Sequence, residues 1–337
     1  MKGVILYIII VMLMSACTPM QKQNEIKELI IYGFPFLEPE VMLSRSEPLK
    51  NLLKEELSLR GYNIETVSIY IGTSQNAVAE ALSSGSAQIG FLNSLTYLLY
   101  EEEDLIPLLS ALRGKLNIDS ERISDWNTLT PIVRYTDQLD STYRNVILAG
   151  PSIKGQSLIS QLNDDMPLSW EEISTAKWCM PNPGNAGYIY GALWVYQTYG
   201  KSMSELPNLT IMGGYHEMIQ SMATLQCDVA SMPMILRRDY QTRWQTDFNR
   251  SASFLEEVKV IGLPPRTPNS LIVVNKAALN NDEELINAIK NSFLAIIKTE
   301  EGKLAISPFS VDGLSEVPDN LFDADLAAIE LLGLGRP

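Results

Sequence analysis

The sequence predicts an α/β protein of two lobes with a ligand cleft between them, and three observations carry that reading. Strand-like and helix-like runs alternate through residues 29–149 and again through 169–261. The stretch Pro264-Pro265-Arg266-Thr267-Pro268 breaks the second series, and a further strand and helix follow it. The joint PNPGNAGYIYG at 181–191 leads from a strand-like run into a helix-like one. Backbone N–H groups left unpaired at such a helix start, with the positive end of the helix dipole behind them, favour an oxyanion.

The elements follow in order. Leu29 to Phe34 is a short apolar strand that ends at Pro35-Phe36. Ser46 and Glu47 mark a helix cap, Pro48 suits the first turn, Leu49, Leu52, Leu53 and Leu57 form one apolar stripe, and Gly61 terminates it. Ile64 to Ile71 is the next strand. Residues 75–84 form a short helix with Ala77, Val78, Ala81 and Leu82 on one side and Gly85 after it. Gln88 to Leu92 is a strand that feeds Asn93-Ser94-Leu95-Thr96-Tyr97. Residues 115–141 mix polar, charged and apolar positions without a clear period and read as a surface elaboration. Asn145 to Ala149 returns to strand.

The second series gives strands at 176–180, 209–213 and 228–232, with helices at 187–199 and 216–225. Leu271 to Val274 is a strand, and 282–298 is an amphipathic helix through Leu285, Ile286, Ile289, Phe293 and Ile296. This pattern divides the chain into lobe one, 26–149 and 264–337, and lobe two, 150–263. Each lobe is expected to be a mostly parallel sheet flanked by helices. Ligands of such sheets bind outside the C-terminal strand ends. That rule gathers Pro35-Phe36, Asn93 to Tyr97, Asn182 to Gly187 and Gly213 to His216 into one region.

The N-terminus bears on compartment. Lys2 is followed by an apolar run of eleven residues, Val4 to Met14, short of the ~20 needed to span a bilayer but suited to a secretory signal. Leu13-Met14-Ser15-Ala16-Cys17 resembles a bacterial lipobox, which implies cleavage after residue 16 and lipid attachment at Cys17. Residues 17–25 then read as a lipidated tether. The alternative is an ordinary signal peptide with an incidental cysteine. A net charge of −14 argues against a nucleic-acid surface. It leaves room for local anion binding, because backbone donors at a helix start carry no formal charge. Cys179 and Cys227 allow either a disulfide or two buried free thiols. The chain has no HExxH, P-loop, GxSxG or CxxC motif, and His216, its one histidine, has no nucleophile motif beside it. An enzyme is therefore not expected, and neither a metal nor a cofactor is implied.

Taken together, segments spread along the chain resemble the phosphonate/phosphite/phosphate family of ABC-transporter substrate-binding proteins, within the type 2 periplasmic-binding-protein class. Tyr32-Gly33-Phe34-Pro35 resembles the family's first strand, and Glu47-Pro48-Leu49-Lys50-Asn51-Leu52-Leu53 its first helix. Ala77 to Leu82, Gly85 and Ile89-Gly90-Phe91-Leu92 are similar to its "AVxEAL…G…DIAFL" segment. Tyr143-Arg144-Asn145-Val146-Ile147 is similar to the crossing strand. Gly187-Tyr188-Ile189-Tyr190 resembles "SGYLYP", Gly214-Tyr215-His216 resembles "GxH", and Cys227-Asp228-Val229-Ala230 resembles "VDAA".

The resemblance implies a monomeric lipoprotein outside the membrane that closes on a small anion and delivers it to a membrane permease. By position it places Asn185, Ala186, Gly187, Tyr188 and His216 around the anion, with Tyr97 and Ser94 opposite. Three departures bear on specificity. Asn185-Ala186 stands where the family has hydroxyls in an "STSG" loop, Gln75 where many relatives have an aromatic residue, and Ser270 where relatives carry an Asp. A larger phosphorylated or vitamin-like ligand, and a sensing role without transport, are the other readings.

Overall fold

The computed structural model describes residues 24–34, 36–163 and 166–336. The expected signal segment, Cys17 and Pro35 lie outside the described residues.

The first sheet collects β1 (Asn24–Gly33), β2 (Tyr62–Ile71), β3 (Ile89–Leu92), β4 (Leu105–Leu116) and β5 (Arg134–Asp140). The chain then builds a second sheet from β6 (Thr142–Ala149), β7 (Trp178–Met180), β8 (Leu209–Ile211), β9 (Val229–Pro233), β10 (Lys259–Gly262) and β11 (Arg266–Pro268). It returns to the first with β12 (Leu271–Asn275) and β13 (Gly313–Ser315). The spatial orders are β13-β4-β12-β3-β1-β2, with β5 on β4, and β10-β6-β9-β7-β8, with β11 on β6.

Both sheets are mixed rather than mostly parallel. In the first, β2-β1-β3 run parallel while β12 inserts antiparallel between β3 and β4. In the second, β8-β7-β9 run parallel and β6 is antiparallel to β9. The alternating αβ runs produce the parallel halves. Strands that arrive from the other lobe enter antiparallel.

Local physics accounts for most elements. Leu49, Leu53 and Leu57 of the Pro39–Ser58 helix are fully buried with Leu29 and Ile31 of β1. This helix starts earlier than its leucine stripe suggests. Pro39 opens it, and Pro48 lies inside, where it removes one backbone donor. Asn24 and Glu25, expected in the tether, already pair with Tyr62 and Asn63. Ser74 caps the Gln75–Ser83 helix by accepting from Ala77 N at 3.1 Å. β4, twelve residues long, has no counterpart in the strand pattern read from sequence.

The division between lobes differs from the expected one. Strand 142–149 belongs to the second sheet, where five of its residues pair with β9, so the change of sheet falls near Ser141. Residues 117–133, the middle of the stretch 115–141 read as a surface elaboration, pack on the second lobe. Trp126 and Ile132 join the core formed by Val146, Met232 and Trp244. Asn127 exchanges hydrogen bonds with the backbone of Val260, both at 2.8 Å. The chain therefore passes between the two bodies at both ends of 117–133, again from β5 to β6, and finally from β11 to β12. Asn269 ties two of these crossings together, donating from its N to Ser141 O at 2.8 Å and from Nδ2 to Asp140 O at 2.9 Å.

Within the second lobe, Cys179 on β7 is bonded to Cys227, which resolves the open choice in favour of a disulfide. The last helix, Asp323–Leu332, touches both lobes. Its Ala328 is fully buried with Leu95 of lobe one and Ile189, Tyr190 and Leu193 of lobe two.

Candidate functional site

A cavity of about 300 Å³ opens where the lobes face each other. Lobe one lines it with Gln75, Asn93, Ser94, Arg113 and Ser270. Lobe two contributes Asn185, Ala186, Tyr143, Tyr190 and Tyr215, and the last helix contributes Asp325. The Ala186–Tyr199 helix begins here with Asn185 at its cap in extended conformation, and the Asn185 side chain makes no capping bond. Gly187 and Tyr188 already donate their N–H groups, to Tyr215 Oη and Asn185 O, so the donors the helix start keeps for a ligand are the Ala186 N–H and the Asn185 side-chain amide.

The opposite wall is held by a short chain of contacts. Asn93 accepts from Thr96 N at 2.6 Å and donates its own N–H to Gln75 Oε1 at 3.0 Å. That bond fixes the Gln75 amide and turns its NH₂ end over to other partners. Ser270 O accepts from Ala111 N at 2.8 Å, which joins β12 to β4 beside the cavity.

Among the described residues two charged groups line the cavity, Arg113 and Asp325. Arg113 projects from β4 and has no carboxylate in ion-pair distance among the described residues, since nearby Asp312 is taken by Arg134. Burial, followed by the positive charge of Arg134, lowers the Arg113 pKa. An unneutralised guanidinium in such a setting gains from a bound anion, in charge and in paired hydrogen bonds. Asp325 is fully buried and accepts from the Tyr190 hydroxyl across the lobe boundary. Its second oxygen, Oδ2, has no hydrogen-bond partner among the described residues. Burial pushes this carboxyl up to about 6, while the Ser94 and Tyr190 hydroxyls pull it down. Tyr143 lies within the fields of both charges, and burial raises its pKa.

Five of the nine expected ligand residues line the cavity: Gln75, Ser94, Asn185, Ala186 and Ser270. Gly187 sits one layer behind, donating its N–H to Tyr215 Oη at 3.3 Å. The other three point elsewhere. Tyr188 packs with the core around Trp178 and Trp194. Tyr97 is buried against Phe322, its hydroxyl 3.5 Å from Glu101, and burial beside that carboxylate pushes its pKa up to about 12. His216 turns to Tyr240, with 2.7 Å between Nδ1 and Oη, and lies beside the Phe248 ring.

A single helical step explains the His216 outcome. In the Tyr215–Ala223 helix one residue is about 100° of rotation, so when Tyr215 enters the cavity His216 leaves it. Tyr215 keeps its own O–H to donate while accepting from Gly187, and burial pushes its pKa up to about 12. Arg113 and Asp325 were not anticipated. Arg113 sits on the unread strand β4, and Asp325 lies at the chain's end, far in sequence from every other lining residue.

Two lobes facing each other across a polar cleft have the build of a solute-binding protein. The chain belongs to the family of ABC-transporter phosphonate periplasmic substrate-binding proteins, whose model matches residues 31–322. It is thus the extracytoplasmic substrate-binding component of an ABC transporter, with a small-molecule ligand and a membrane permease as partners. Among the described residues no helix is long and apolar enough to cross a membrane.

Solved structures share the fold at low identity. Mycoplasma hyorhinis Mh-p37, a putative thiamine pyrophosphate transporter, is 12% identical with a TM-score of 0.65, covering 91% of this chain and 99% of that one. XAC2383 from Xanthomonas citri, bound to ATP, is 11% identical with a TM-score of 0.62 over the same shares. PhnD1 from Prochlorococcus marinus, in complex with methylphosphonate, is 10% identical with a TM-score of 0.59, covering 91% of this chain and 98% of that one. No curated protein sequence matches the chain.

Proposed function

We propose that this chain is a membrane-anchored lipoprotein, attached through Cys17, that binds a phosphorus oxyanion or an organic phosphonate or phosphate ester in the interlobe cavity. The observation that carries this reading is the unpaired Arg113 guanidinium in the same cavity as the open start of the Ala186–Tyr199 helix. One anion satisfies both: Arg113 supplies charge and paired donors, and Ala186 N–H, the Asn185 amide, Gln75 Nε2 and Tyr215 Oη add directional bonds. Ser94 and Ser270 contribute hydroxyls from lobe one. The complex of a PhnD1 with methylphosphonate on this fold supports the ligand class.

Thermal unfolding with and without phosphate, phosphite, methylphosphonate and aminoethylphosphonate tests the assignment. A true ligand at about 100 times its Kd adds ~2.7 kcal/mol of stability. Arg113→Met should weaken binding about tenfold to a hundredfold, the worth of a charged hydrogen-bonding group. If a sulfonate or an uncharged solute alone raises the melting temperature, the phosphorus assignment is wrong.

A further inference from the structure

A second cavity of about 280 Å³ adjoins the cleft, and Arg113, Tyr143, Tyr215 and Pro233 are walls of both. Its far wall is apolar. Leu116 ends β4, Ile118 and Trp126 come from the segment between β4 and β5, and Met234 and Leu236 follow β9. The other cations along it already have carboxylates. Lys115 meets Asp140 at 3.2 Å, Arg266 meets Asp119 at 2.5 Å, Arg134 pairs with Asp312, and Arg144 with Glu121. Arg113, at the junction, is the one cation of the two cavities left without such a partner among the described residues.

We propose that this annex receives an uncharged apolar or aromatic substituent of the ligand, whose oxyanion sits at Arg113 in the cleft. The inference rests on the oxyanion reading and narrows it to esters or phosphonates with a sizeable organic group. A small oxyanion alone would leave the annex to water, which apolar walls hold poorly. A second phosphate would enter a space whose cations are already neutralised, and its desolvation would go uncompensated. Residues 117–133 gain a role in this account: the segment that fastens to lobe two also closes the annex.

Isothermal titration of the full mature chain with methylphosphonate, phenylphosphonate and pyrophosphate tests the proposal. Phenylphosphonate should bind about tenfold or more tightly than methylphosphonate, as burial of a phenyl ring requires, and pyrophosphate more weakly than phenylphosphonate. Ile118→Trp, which fills the annex, should cancel the phenyl preference, with methylphosphonate affinity reporting that the cleft is intact. Leu236→Phe is a milder filling should Ile118→Trp not fold. Equal affinity for the two phosphonates in wild type overturns the annex. So does a phenyl preference that survives both fillings, or tightest binding by pyrophosphate. If the wild type binds none of these compounds, the oxyanion reading itself falls.

Discussion

At the scale of single residues, the cavity is governed by two opposite charges with unequal support. Asp325 is the more informative. Its carboxyl holds a proton to about pH 6 in the folded protein, against an ordinary value of 3.8. The native state therefore binds more protons than the unfolded state between about pH 4 and 6, and stability falls as pH rises through that window. The shift corresponds to roughly 3 kcal/mol, fully expressed above the folded pKa. Asp325→Asn should remove this slope. In urea unfolding at several pH values, the stability of the variant relative to wild type should grow from pH 4 to 6 and level off above; a constant difference would show that the carboxyl titrates normally. The residue scale is also where sequence reading was weakest. Asn185 and Ala186 were found because a strand–loop–helix joint has a local signature. Tyr215 was passed over for His216 because chemistry suggested the histidine and only helix phase could separate them.

The elements were more legible than the residues, where their signals were local. The apolar side from Ala77 to Leu82 and Gly85 after it mark one helix, and the stripe from Leu285 to Ile296 marks another that spans Glu283–Ile296. The Pro39–Ser58 helix was misjudged at its start because two prolines compete as first-turn residues. β4 escaped because its burial does not alternate, and β12, β13 and β5 take turns pairing with it along its length. The disulfide between Cys179 and Cys227 is an element-scale device. Cys179 lies on β7, Cys227 precedes β9, and the bond spans 48 residues that include β8 and two helices. By the chain-entropy account a loop of that length is worth about 4 kcal/mol. A Cys179→Ala/Cys227→Ala protein should show a lower guanidinium midpoint by that order. Wild type in reductant should match it, and identical midpoints for oxidised and reduced wild type would contradict a stabilising role.

At the scale of the whole molecule, the alternation of two αβ series made the two-lobed fold legible. The traffic between the lobes did not show. Residues 117–133 find their partners far along the chain, as Asn127 does with Val260, so no short window displays their pattern. The last helix is similar, because its apolar face is divided between two bodies. Its contacts with Leu95 on one side and Leu193 on the other make it a strap across the cleft. A chain ending at Asn320 should melt at lower temperature and, without ligand, show a larger radius of gyration by small-angle scattering. An unchanged radius would mean that the crossing strands alone hold the lobes together.

The position of β12 has a consequence for the order in which the chain becomes structured. β12 lies between β3 and β4, and without it those two strands have no bond to each other. Lobe one therefore lacks its middle until residue 275 is available, however early its first strands are made. Lobe two needs nothing beyond Pro268 for its sheet. The amino-terminal part of the chain, first to leave the ribosome, is thus the last to become a finished body. In a protein that works outside the cytoplasm, the sheet of lobe one can be completed only after every strand of lobe two has been made.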